Sequence, residues 1–278
     1  MSFIQQVVRG HIQLPSVPRV VTELLLQTRQ PRVSIHALAD TVEQDPVIAA
    51  RTLQLANSPF YGGGRSMETI ADAIVTLGTE GVQRIVLTVG MASVFTEVPG
   101  VNLRQFWVDA TVAASAARAL ARLSPRTTDM AESAFLAGLL HASGHLILCA
   151  CHPEVAHKSF DINRRMRGVL LTQVEQHCFG QVFPAVGAAW LEHLNLSTHQ
   201  VRGVAHQLLP LSPGAGPLAP LVHLAAGIAE GLAELVSVDA LVASFEDPVL
   251  EAAAIDRAAL SAYLDASVEN MSVAPRLV

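Results

Sequence analysis

The chain has 278 residues, 51% of them hydrophobic and 5% aromatic, with a mean hydropathy of +0.39. That is enough for one large core or two smaller ones, and the Ala- and Leu-rich composition suits packed helices better than a β-sandwich. The formal charge of −6 is uneven, because nine acids and only two arginines lie from Ala225 onward and the rest of the chain is close to neutral. This balance argues against general affinity for nucleic acid, because phosphate binding requires a basic patch.

Leu14-Pro15-Ser16-Val17-Pro18 is a stiff leading segment, and Val20, Val21, Leu24 and Leu25 then give a helical apolar stripe. Ser34 is placed to cap a helix through Ile35, Leu38, Ala39 and Val42. Asp45-Pro46 is a start signal, a carboxylate for the first orphan amides followed by a residue that fits the first turn. The helix it opens stops at Asn57-Ser58-Pro59, and Gly62-Gly63-Gly64 is a loop. Thr69 caps a short helix closed by Gly78, and Thr79 starts the next, with Val82, Ile85, Val86 and Val89 inward.

Thr96-Glu97-Val98-Pro99-Gly100 divides this N-terminal helical bundle, residues 1–100, from the remainder, residues 101–278. Long helices are expected over about Leu103 to Leu123 and about Thr128 to Cys151, and another opens at Pro153. Leu170, Leu171 and Val174 carry a further stripe. Helices follow near Pro184 to Leu194 and Thr198 to Leu209, then a Pro- and Gly-rich loop over Pro210 to Pro220, then acidic amphipathic helices. No strand ladder is visible, so the expected fold is all-α.

The three cysteines are odd in number, and Cys149 and Cys151 are two apart, which suits reduced thiols of a cytoplasmic protein and not a disulfide framework. The N-terminal MSFIQQVVRGHIQLP has no apolar core long enough for a signal peptide. Ala134 to Cys151 carries no formal charge over 18 residues, near the length of a membrane span. With His141, Ser143 and His145 at its centre it reads as a buried core helix, and no membrane partner is expected.

Several of these blocks, in their order and spacing, resemble the HDOD (HD-related output domain) family. They are Leu14-Pro15-Ser16-Val17-Pro18, Asp45-Pro46, Leu55-Ala56-Asn57-Ser58-Pro59-Phe60-Tyr61-Gly62, Ile70, Ala73-Ile74 and Leu77-Gly78. Phe106-Trp107 and Ala134 to His141 extend the resemblance, which ends near His206. It implies an N-terminal helical bundle followed by an HD-like helical domain, a degenerate relative of HD phosphohydrolases. In those enzymes a His, an adjacent His-Asp pair and a later Asp hold metals that activate water.

Here the resemblance places Asp109 where the first His is expected, His141 at the second His with Ala142 in place of its Asp, and Ala226 at the last Asp. Such a set predicts no catalysis, no cofactor and no resident metal, with His141 and His145 the residues left for one. His141, His145 and Cys149 are four apart and would line one helix face, but the zinc-protease spacing lacks its Glu because Ala142 follows His141. No Gly-x-Ser-x-Gly elbow is present, and Gly62-Gly63-Gly64 lacks the Lys and Ser or Thr of a phosphate loop. A helix-turn-helix near Ser34 to Ala56 would have only Arg51 and Gln54 as outward base readers.

The resemblance implies bacterial signal transduction, in a two-component or cyclic-dinucleotide pathway, through contacts with protein partners. The candidate surface for them is Tyr61, Gly62, Gly63, Gly64 and Arg65, because Tyr and Arg are enriched in binding hot spots and glycines admit another backbone; the structural alternative is a flexible connection with Phe60 and Tyr61 packed as anchors between two helices. The other reading is a residual metal-dependent phosphohydrolase using Asp109, His141 and His145.

Overall fold

The computed structural model of the chain describes residues 17–27, 34–58, 66–156 and 171–271. The regular secondary structure of its described residues is helical, with no strand among them. They divide into two compact units, one holding the described residues of 17–96 and 269–271, the other those of 97–268.

The first unit is built on α1 (Arg19–Gln27), α2 (Ile35–Glu43), α3 (Pro46–Ala56) and α4 (Ile70–Val94). Capping chemistry sets their starts. Ser34 Oγ accepts from Ala37 N at 3.0 Å, and Asp45 Oδ1 accepts from Val47 N and Ile48 N at 3.0 and 3.1 Å. Thr69 and Asp72 exchange side chain-to-backbone bonds at 3.0 Å in a capping box. Gly78, at φ 79° and ψ 163°, breaks α4 where two helices were expected. The other three helices pack on α4. Val20, Val21 and Leu24 are buried, and Val21 lies so close to Gly90 that a Cβ there would fall 2.0 Å from Val21 Cγ2.

Asn57 does more than end α3. Its Nδ2 donates to Leu53 O at 3.0 Å and to Met67 O at 2.7 Å, while its Oδ1 accepts from Met67 N at 2.7 Å. The side chain therefore clamps the two ends of the connection from α3 to α4. Phe60 and the expected contact residues Tyr61, Gly62, Gly63, Gly64 and Arg65 lie on that connection, outside the described residues.

The second unit opens with α5 (Leu103–Leu123), whose first turn is capped by Asn102 accepting from Gln105 N at 3.2 Å. A one-turn 3-10 helix (Thr128–Met130) leads into α6 (Ala131–Leu140). The alanine stripe Ala110, Ala113, Ala114, Ala117 and Ala121 is buried and lets α6 lie close. At Gly138 an added Cβ would sit 2.9 Å from both Ala113 O and Ala114 Cα. Arg118 Nε pairs with Glu132 at 2.8 Å across the same hairpin.

The long helix expected over Thr128 to Cys151 is interrupted. His141 and Ala142 form a turn, and α7 (Ser143–Cys151) starts afresh. Three bonds take up carbonyls freed there: Ser143 Oγ to Leu140 O at 2.7 Å, His141 Nδ1 to Gly138 O at 2.7 Å, and Gln207 Nε2 to His141 O at 2.7 Å. His141 therefore does not share a helix face with His145 and Cys149. The same stretch is the one described segment long and apolar enough to cross a membrane, and 72% of its most apolar window is buried inside the structure.

Residues 153–156 begin a helix at Pro153, and α8 (Leu171–Phe179), α9 (Phe183–His193) and α10 (Thr198–Ala205) follow. The helix expected to run to Leu209 stops at Ala205, where turns running through residues 206–217 take over. Next come α11 (Leu218–Ala233), α12 (Val238–Ser244), α13 (Asp247–Ala253) and α14 (Arg257–Met271). Arg257 ties this end together, bonding Val242 O, Phe245 O and the Asp247 carboxylate. The core of the unit is Leu- and Ala-rich, with Trp190, Leu139, Leu140, Leu146, Ile147 and Leu148 fully covered.

Candidate functional site

The α5–α6 hairpin carries Asp109 and leads into His141, the two donor residues at the positions where the resemblance sets HD metal ligands. Gly138 lies against Ala113 to Ala117, so the antiparallel register sets His141 opposite the turn Asp109 to Ala113. Asp109 is half-buried, with Oδ1 accepting from Gln105 Nε2 at 2.8 Å. Burial pushes its carboxyl above the usual carboxylate range, and the Gln105 bond only partly opposes this. Burial likewise holds the His141 imidazole below its ordinary value, against a smaller opposing effect of the Gly138 carbonyl. A carbonyl can only accept, so Nδ1 of the neutral ring carries the proton and Nε2 keeps its lone pair.

Ala142 follows His141 directly and offers a methyl where the resemblance sets a carboxylate. Ala226 sits half-buried on α11, the helix that packs on both α5 and α6. The donor set at these four positions is one imidazole and one carboxylate, which does not fit an HD metal centre. Among the described residues no three His, Cys, Asp or Glu side chains converge to hold a metal ion.

Glutamine 207 organises the backbone beneath His141. Gln207 is 2% exposed, and its Nε2 donates to His141 O at 2.7 Å and to Val204 O at 2.9 Å. His223 Nδ1 lies 2.7 Å from the Gln207 backbone carbonyl and donates to it, so α11, the segment after α10 and the α6–α7 turn are joined through one residue, by its carbonyl and its side chain. His206 turns to Ser212 Oγ at 2.8 Å, so it is Gln207 and not His206 that meets His223.

His145 points elsewhere. Its Nδ1 lies 2.7 Å from Glu175 Oε1 on α8, and its Nε2 is 3.8 Å from Cys149 Sγ. Glu175 is fully buried, and its Oε2 accepts from Phe183 N at 2.9 Å, capping the first turn of α9. Burial alone would lower the His145 pKa, but the hydrogen bonds and charges of Cys149 and Glu175 together raise it to about 9. His145 and His141 thus belong to two different networks, not to one metal pair.

Neither Gln207 nor Glu175 announces itself in the sequence. Gln207 falls inside what reads as the end of a helix, and Glu175 is one acid in a polar helical stretch. Asn57 was visible as a helix stop but not as a clamp on Met67, because the bond spans ten positions.

This is an all-helical, HD-like scaffold. A family model for the HDOD domain matches residues 14–210. The chain belongs to the HDOD family. Its fold superposes on a Geobacter sulfurreducens HDOD domain protein of unknown function with a TM-score of 0.80 at 22% identity, covering 97% of this chain and 95% of that one. A Shewanella amazonensis SB2B protein, named only provisionally as a phosphohydrolase, gives 0.79 at 26% identity with the same coverages. A Marinobacter aquaeolei VT8 protein, provisionally named for signal transduction, gives 0.78 at 22%, covering 96% of this chain and 59% of that one. An uncharacterised Treponema pallidum (strain Nichols) protein is 23% identical over 206 residues, 72% of this chain, and the chain spans 39% of its length.

Proposed function

We propose that this chain is a non-catalytic signalling module whose output is contact with protein partners, in a bacterial two-component or cyclic-dinucleotide pathway. The observation that carries the proposal is the ligand set itself. At the positions where the resemblance sets the HD ligands, His141 Nδ1 is held by Gly138 O of the preceding helix, burial lowers the pKa of its imidazole, and Ala142 and Ala226 offer no donor atom. The provisional naming of the Marinobacter structure for signal transduction agrees with this reading. The provisional phosphohydrolase name of the Shewanella structure favours the second reading, residual hydrolysis through Asp109 and His141.

The contact surface proposed is the connection bearing Tyr61, Gly62, Gly63, Gly64 and Arg65, whose ends Asn57 clamps. Arg65→Ala and His141→Ala, each scored for partner capture and for a cellular phenotype of the gene, separate the readings. Loss with Arg65→Ala and retention with His141→Ala supports the contact role. Loss only with His141→Ala, in a protein of unchanged melting temperature, contradicts it.

A further inference from the structure

The cluster of Cys149, His145 and Glu175 between α7 and α8 has no part in the proposed output. It sets a thiol 3.8 Å from one ring nitrogen of an imidazole whose other nitrogen lies 2.7 Å from a carboxylate. Thiol, imidazole and orienting carboxylate in this order are the arrangement of an activated nucleophile. Each member is fixed. Cys149 and His145 are one helical turn apart on α7, and the far oxygen of Glu175 is held by Phe183 N at 2.9 Å. The Phe183 amide and His145 already engage both oxygens of the buried Glu175, so the carboxylate has no need of the thiol. Cys149 is fully buried and the His145 side chain is 13% exposed, which shuts out large substrates, so a reagent for the thiol has to be small enough to pass the edge of the His145 ring.

We propose that Cys149 is a modification site, a thiol set for oxidation by hydrogen peroxide to a sulfenic acid. A sulfur lone pair attacks one peroxide oxygen, the S–O bond forms as the O–O bond breaks, and sulfur loses two electrons while peroxide is reduced to water. The nucleophile is the thiolate left when the Cys149 proton passes to His145 Nε2, and the imidazolium so formed gives that proton to the leaving hydroxide, so that water and neutral imidazole result and the protons balance. The product places an oxygen on a buried sulfur beside His145, where it perturbs the link from α7 to Glu175 on α8. Cys151, two residues on, has no such partner shown, and burial pushes its thiol pKa up, which makes it the internal control.

The test exposes the native full chain to hydrogen peroxide with dimedone as the sulfenic acid trap, and follows each cysteine by mass spectrometry. Cys149 is expected to be trapped at least about tenfold faster than Cys151, and to fall to the Cys151 rate in Glu175→Gln and His145→Gln, the size of effect lost with one proton donor. A bulky aromatic disulfide reagent is expected to react with Cys151 and to spare Cys149. Trapping of Cys149 at or below the Cys151 rate in the wild-type protein overturns the proposal, and that comparison needs no variant to fold. An unchanged Cys149 rate in both variants, with melting temperatures showing them folded, overturns it as well. So does modification of Cys149 by the bulky reagent as fast as Cys151.

Discussion

Replacing Gly144 by Ala sets local propensity against packing, with opposite expected signs. Gly144 lies in the first turn of α7, and on helix propensity alone Ala is worth about 1 kcal/mol more than Gly. The neighbours say otherwise. A Cβ at 144 would lie 2.0 Å from Phe183 O, 2.6 Å from Gly187 N and 2.9 Å from Phe183 C. All three are backbone atoms of α9, so no rotamer change relieves the contact, and α7 must move off α9. Ordinary van der Waals separation needs more than about 1 Å of displacement, and overpacking of this kind costs roughly 1–3 kcal/mol or more. The movement also strains the Glu175 bonds to His145 and Phe183, which cross the same junction. A net loss of about 2 kcal/mol corresponds to a melting temperature lower by roughly 4–8 °C for a unit of this size. Differential scanning calorimetry of the full chain measures it. An unchanged or higher melting temperature for Gly144→Ala refutes the close approach of α7 and α9.

Asp45→Ala removes the acceptor for Val47 N and Ile48 N and should cost about 1 kcal/mol by chemical denaturation, while Asp45→Asn should retain most of the cap. Asn57→Ala should destabilise the first unit and raise proteolysis between residues 58 and 67, because both backbone groups of Met67 lose their partner; equal proteolysis of both proteins would discount the clamp. His145 has a folded pKa raised from 6.5 to about 9, so its contribution is full below about pH 6.5 and is lost as pH rises through 9. The melting-temperature difference between wild type and His145→Gln should therefore shrink between pH 6.5 and pH 9.5, and a difference that grows over that range would contradict the assigned pairing with Glu175.

Helix starts were legible because their chemistry is local. Ser34, Asp45 and Thr69 each bond an amide two or three positions away, and Gly78 shows its break in a single residue type. The turn at His141 and Ala142 was not legible, since an uninterrupted apolar run favours a continuous helix and the break is sustained from afar by Gln207. The proposed loss of the ligand set rests on sequence alone, on the residue types at Ala142 and Ala226. The separation of His145 from His141 could not be read there, because it depends on Glu175 thirty positions away. The early end of α10 has the same origin. Gln207 leaves the helix to bond His141 O, and its own carbonyl receives His223.

The proposed loss of catalysis is tested most directly by the metal content of the purified full chain, with elemental analysis for Mg, Mn, Fe and Zn after each metal has been offered in excess and then removed by gel filtration. With only Asp109 and His141 at the ligand positions, and the His141 Nδ1 spent on Gly138 O, content well below one metal per chain is predicted, unchanged in His141→Ala. One or two tightly held metals per chain that disappear in His141→Ala, together with metal-dependent hydrolysis of a cyclic dinucleotide, would contradict the account.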